Sequence, residues 1–285
     1  MGKLYIFGNG LDRHYGLNTR TQDFIRHLNN QSIYGECCNA ADIFEGLGVL
    51  WSNFEEDIAD IDLEQLAEDI VGVPNYYSNH EYDRDGVITN VDEYLTSLKD
   101  AIFEALKEMM SSAEEDIQYL ERDYEWNFNN DDIIISFNYT STLEKVANPI
   151  NAPILHIHGY FKSKEQLLLG YKEPLTTFNQ LRFSNPEDGD YYMEKQLEMI
   201  NDFYVSLRKE IQLKKLKLFL DAIEVIDEVV IIGHSLGGVD IPYLEYIESK
   251  FHPSIWRVSY YSDDDAVLVN KEQLSFKDKI VLFQW

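Results

Sequence analysis

Four short groups of residues in this chain have the types and spacing that chemistry needs. They are Gly8-Asn9-Gly10 with Asp12, Asn138-Tyr139-Thr140, His158-Gly159 and Gly233-His234-Ser235. A Gly-x-Gly turn lets backbone N–H groups approach a phosphate with no Cβ in the way. The full dinucleotide fingerprint needs a third glycine three residues on, where Arg13 stands, so that loop alone also reads as a plain tight turn. Asn138 reads either as a turn or capping residue or as an amide that positions a ligand. His158 reads either as a structural histidine or as a base near neutral pH. His156 and His158 are two apart and would share one face of a strand, but no third or fourth ligand lies nearby, so no metal is expected.

Gly233-His234-Ser235-Leu236-Gly237 also fits Gly-x-Ser-x-Gly, the nucleophile elbow of lipases and esterases. That fold places its acid and then its histidine after the serine. His252 is the one histidine that follows Ser235, beside a predicted helix end, and Asp240 reads as a helix cap. A serine esterase using Ser235 therefore stands as an alternative.

Each group follows an apolar run that reads as a strand buried on both faces, the pattern of a parallel sheet covered by helices. The runs are Leu4–Phe7, Asp132–Phe137, Pro153–Ile157 and Glu228–Ile232; Ile255–Tyr261 and Lys279–Phe283 complete the set, with Leu167–Gly170 as a short extra strand. The predicted fold class is α/β, a doubly wound, mainly parallel Rossmann-like sheet. In such a sheet the carboxyl ends of the strands share one edge, and residues more than two hundred positions apart converge on one crevice. Thr21 reads as the cap of a helix carrying Phe24, Ile25 and Leu28, and a long amphipathic helix is predicted from about Val91 to Leu120, after a turn-rich stretch containing Asp85-Gly86. Asp240 and Pro242 start a helix through Ile247. The expected organisation is one domain over 1–285, with helical insertions at about 40–127 and 185–226.

The 285 residues are 45% hydrophobic and 26% charged, with a formal net charge of -27. So acidic a surface repels phosphate backbones and anionic lipid, which argues against nucleic-acid and membrane partners. A nucleotide site must then rely on local amides and a helix N-terminus. No apolar run reaches the roughly 18 residues of a membrane span. The N-terminal residues lack a secretory pattern, and a cytoplasmic location is expected. Cys37 and Cys38, the only cysteines, are adjacent and make no Cys-x-x-Cys pair, so they read as two free thiols rather than zinc ligands. The basic cluster Arg208, Lys209, Lys214, Lys215 and Lys217 reads as a solvated helix face.

As an ordered set, Gly8-Asn9-Gly10-Leu11-Asp12 with Gly16-Leu17-Asn18-Thr19, Phe137-Asn138-Tyr139-Thr140, His156-Ile157-His158-Gly159 and Gly233-His234-Ser235-Leu236 resembles the motifs of the bacteriophage abortive-infection AbiH family. That family is similar to the wider sirtuin-like group of NAD-binding folds. The resemblance implies an NAD-type crevice and a role in defence against phage. It implies reacting-centre roles for Asn138 and His158. It also implies that Gly8, Asn9 and Gly10 hold a diphosphate, and that the turn of Gly233, His234 and Ser235 holds a ribose. The zinc cysteines of sirtuin deacylases are missing, so deacylation is not expected. A small-molecule nucleotide is the expected partner, with a second copy of the chain or a phage-derived trigger as further ones.

The chemistry these residues suit is hydrolysis of the nicotinamide–ribose bond of NAD. Nicotinamide leaves a pyridinium as a neutral molecule and needs no general acid, and the transition state resembles an oxocarbenium ion. Asn138 would position ribose or water, and His158 would take a proton. Asp12 would stabilise positive charge or bind a ribose hydroxyl. The alternative from another class is a non-catalytic NAD sensor in phage defence.

Overall fold

A computed structural model describes residues 2–51, 54–149, 151–163, 166–171, 190–261 and 274–285. The described chain forms two compact units, one of residues 1–20, 109–168 and 210–285, the other of residues 21–108 and 169–209. Residues 185–189 of the second expected insertion lie outside the described residues.

The first unit holds a six-stranded sheet in which every pairing is parallel. Its strands are β1 (Leu4–Phe7), β2 (Ile133–Ser136), β3 (Ile154–His156), β4 (Glu228–Ile232), β5 (Ile255–Tyr260) and β6 (Ile280–Gln284). Their order is β3-β2-β1-β4-β5-β6. The chain steps outward from β1 to β3, then returns to the other side of β1, so the order reverses between β1 and β4. That reversal is the topological switch point of a Rossmann-like sheet.

Alternation along the strands gives the sheet two apolar faces. Leu4, Ile6, Ile133, Ile135, Val229, Ile231, Trp256 and Val258 belong to one core, with α10 (Ile241–Phe251) and α9 (Leu213–Leu220) supplying Tyr243, Leu244, Ile247, Leu216 and Leu220. Phe7, Ile134, Val230 and Ile232 belong to the other, with Leu11 of α1 (Gly10–His14) and Leu143 and Val146 of α7 (Thr142–Val146). Each fully buried aliphatic side chain stabilises the fold by about 1.5–3 kcal/mol, and a one-residue slip would exchange the two faces. Buried Asp132 pins the start of β2, its carboxylate accepting from the Lys3 and Asn129 backbone amides at 2.8 and 2.7 Å.

The second unit is helical. It contains α2 (Thr21–Leu28), α3 (Ala40–Gly46), α4 (Phe54–Asp57), α5 (Leu63–Ile70), α8 (Tyr191–Ser206) and most of α6 (Glu81–Ile117), which runs on into residues assigned to the sheet unit. Two local expectations change. Helix α6 starts at Glu81 rather than near Val91, running through Asp85-Gly86. A glycine inside a helix costs only about 1 kcal/mol, and Glu81 and Asp83 in the first turn favour the start at Glu81. Leu167–Gly170 forms no strand: Gly170 sits at φ +147°, and only Tyr171 makes a bridge, to Arg208. Among the described residues no helix is long and apolar enough to cross a membrane.

Candidate functional site

All four motif groups lie in the sheet unit, just beyond the carboxyl ends of β1, β2, β3 and β4. Their side chains sort into distinct clusters.

At the switch point the glycines bring two loops together. The Gly8 amide donates to the Ile232 carbonyl at 3.0 Å, and the Gly10 amide to the Gly233 carbonyl at 2.7 Å. A Cβ on Gly10 would sit 2.4 Å from the Gly233 Cα, and Gly233 itself has φ +63°. The small residues here serve the close approach of backbone to backbone, and the Gly8 and Gly10 amides are already satisfied. Asn9 is likewise engaged within its own loop: its amide donates to the Thr19 carbonyl and accepts from the Thr19 hydroxyl, both at 2.7 Å. Because the obstacle is backbone, Gly10→Ala is expected to destabilise the protein by about 2 kcal/mol, read as a lowered urea midpoint with an unchanged m-value. A bulky residue at Gly10 would therefore test folding before it tested ligand binding.

The next cluster joins β1 to β2. Asp12 is 1% exposed, and the Thr140 hydroxyl lies 2.8 and 2.9 Å from its two oxygens. The Asn138 amide nitrogen approaches one of those oxygens at 3.4 Å. Burial pushes the Asp12 carboxyl up to about 6; nearby Glu114 adds to the rise, while the Thr142 and Thr140 hydroxyls and the Asn138 amide oppose it. Asn138 is itself buried, and its Oδ1 has no hydrogen-bond partner among the described residues. Its backbone is held by the Ser136 hydroxyl at 3.2 Å and by His156 Nδ1 at 3.1 Å from the Asn138 carbonyl oxygen.

His156 and His158 part company because β3 ends at His156. His156 stacks on Tyr160 and reaches Glu144 at 2.7 Å, whereas His158 turns toward the core at Phe137 and Tyr243. There His158 Nε2 lies 3.1 Å from one Asp240 oxygen, and His234 Nε2 lies 3.2 Å from the other. Phe137 meets both imidazoles edge to face, with ring centres 4.9 and 4.6 Å away. Among the described residues no group of three or more His, Cys, Asp or Glu side chains is arranged to hold a metal ion.

Ser235 is exposed, and the turn around it departs from a nucleophile elbow. The positive φ angles belong to Gly233 and Leu236 rather than to the serine, and α10 begins only at Ile241. Asp240 faces His234 on one oxygen and His158 on the other. The strained strand-to-helix turn that aims the nucleophile is missing.

Two features were not legible as site residues. Asp240 holds the N-cap position of α10 but makes no capping bond, its carboxylate meeting the two histidines instead. Glu114, four residues after Met110 on the buried stripe of α6, accepts from the Ser141 amide and hydroxyl, both at 2.6 Å, and pairs with Lys162 at 2.8 Å. A carboxylate inside an apolar helical stripe is the signal that points to it. Ser141 and Lys162 line a pocket of about 350 Å³ with Ile117, Gln118, Glu144, Lys145 and Tyr160.

A family model described as bacteriophage abortive infection AbiH matches residues 4–260. No curated protein matches the chain.

Proposed function

The chain belongs to the bacteriophage abortive infection AbiH family, and from that premise we propose that it acts in phage defence by hydrolysing the nicotinamide–ribose bond of NAD at the carboxyl edge of the sheet. The observation that supports this most is the buried pairing of Asp12 with Asn138 beyond the ends of β1 and β2, beside the switch point where dinucleotides bind such sheets. Asn138 Oδ1, a buried acceptor lacking a partner among the described residues, fits a ribose hydroxyl or an attacking water.

Asn138 orients the ribose or the water. Asp12, once ionised, faces the positive charge that develops on the ribose ring, where a desolvated carboxylate acts far more strongly than in bulk water. His158 takes the proton from water, with Asp240 beside it to balance the charge it gains. The exposed Ser235 hydroxyl and the Gly233 turn are assigned to the adenosine side of the dinucleotide. Diphosphate contacts from Gly8 and Gly10 would require breaking the bonds those amides make to Ile232 and Gly233.

The test is cellular. NAD is measured through infection in cells carrying the intact protein or Asn138→Ala. A fall in NAD only with the intact protein supports the reading. Protection with undiminished NAD contradicts it, and saturable NAD binding in the same protein would make it a sensor.

A further inference from the structure

Ser141 holds the N-cap position of α7, yet its hydroxyl makes no capping bond. A serine there ordinarily accepts from a backbone amide in the helix's first turn. This hydroxyl donates instead to one oxygen of Glu114 at 2.6 Å, and the Ser141 amide donates to the other, also at 2.6 Å. The Lys162 ammonium donates to the Ser141 hydroxyl oxygen at 2.6 Å and pairs with Glu114 at 2.8 Å. One carboxylate, 7% exposed, thus holds the residue three places after Asn138 and the residue four places after His158.

We propose that Glu114 is a positioning residue that fixes the Asn138 loop against the His158 loop. Nearer the strand ends the two loops are joined by the Phe161 amide, which donates to the Tyr139 carbonyl at 2.8 Å, and by His156 Nδ1, 3.1 Å from the Asn138 carbonyl oxygen. By themselves those two bonds form a hinge. The Glu114 contacts lie further along both loops and reach in from α6, so they fix the angle that a hinge leaves open. Burial favours geometry over stability as the purpose. Glu114 shares its helix stripe with buried Met110 and Ile117, where an apolar side chain would avoid the cost of desolvating a charge. A buried ion pair adds little net stability for that reason, and what it supplies is one fixed arrangement of the groups it binds. Displacing a reacting group by about 1 Å can slow a reaction about 10²-fold. The effect on turnover rests on the NAD-cleavage reading, whereas the fixing of the loops does not.

Hydrogen exchange of the full chain, read by mass spectrometry, tests the loops without turnover. Glu114→Met keeps most of the side-chain volume and removes both acceptors. Peptides spanning 137–144 and 157–163 are expected to exchange about tenfold faster or more, with those of β1 and β4 unchanged. Lys162→Met, at a half-exposed side chain, repeats the test should Glu114→Met not fold, and is expected to loosen 157–163. Unchanged exchange at the loops in the folded variants would overturn the proposal. So would an increase spread evenly over the sheet, which is the mark of a merely stabilising residue. Nicotinamide release, with lysate from infected cells supplying any trigger, tests the part in turnover. Glu114→Met is expected to lower kcat about 10²-fold with KM for NAD within about threefold, and Glu114→Gln, which can still accept from the Ser141 amide, to regain about tenfold. Loosened loops with an unchanged kcat would overturn the positioning role. Loosened loops beside an intact protein that never cleaves NAD would instead overturn only the proposed reaction.

Discussion

Asn138→Ala is expected to lower NAD cleavage by about 10²–10⁴-fold while leaving a folded protein, because positioning of ribose or water is the role proposed for its side chain. The structural cost should be small. The amide nitrogen has one long contact, 3.4 Å to Asp12, and Oδ1 is the acceptor with no protein partner among the described residues. The backbone contacts to Ser136 and His156 survive the substitution. His158→Ala would lose activity too, but it is the poorer probe. It opens space beside Phe137 and Tyr243 and strips Asp240 of one of its two imidazoles. His158→Gln keeps most of the volume, and its rate loss can be compared directly with that of Asn138→Ala. Single-turnover measurement of nicotinamide release checks both. A rate within threefold of the intact protein for Asn138→Ala would remove that residue from the reacting centre.

Asp12→Asn should separate stability from activity. A carboxyl raised from 3.8 to about 6 on folding favours the protonated native state, so its effect has a definite sign with pH. Below about pH 4 both states are protonated and Asp12 exacts no penalty. As pH rises the unfolded chain ionises first, native stability falls between about pH 4 and 6, and the loss is complete above 6. A shift of about 2 units corresponds to roughly 3 kcal/mol. Asp12→Asn removes that titration. Urea unfolding at pH 4 and at pH 7.5 should show the variant gaining about 2–3 kcal/mol relative to the intact protein between those two pH values, while NAD cleavage is lost. Using the difference between the two proteins cancels most of the broad titration expected of a chain with net charge -27. A flat difference across that range would mean the Asp12 carboxylate is held without strain, and the argument for a desolvated charge at the site would go with it.

Much of the sheet edge that carries these residues could be read from the chain because the controlling signals are local. Ile133–Ile135 and Val229–Ile232 are apolar without interruption, and that alone marks strands covered on both faces. Once the strands are parallel, the loops after them must share an edge, which is why Asp12 and Asn138, 126 residues apart, meet. Other features depend on which atoms meet across that edge. An aspartate before a proline-containing helix start is the usual helix cap, and only the fold shows Asp240 facing two imidazoles instead. The glycines of the first loop were expected to admit a ligand, and they also admit the Gly233 loop, a contact between residues 223 positions apart in the chain. The start of α6 was missed because Asp85-Gly86 resembles a turn in isolation, while a helix already propagating absorbs one glycine.

Nicotinamide release reports directly on the bond proposed to be cut. Purified protein is incubated with NAD in lysate from phage-infected cells, so that any trigger is present, and the products are separated. Nicotinamide and ADP-ribose are expected in equal amounts from the intact protein and neither from Asn138→Ala. NAD that stays whole in a lysate whose source cells were protected by this chain would contradict it.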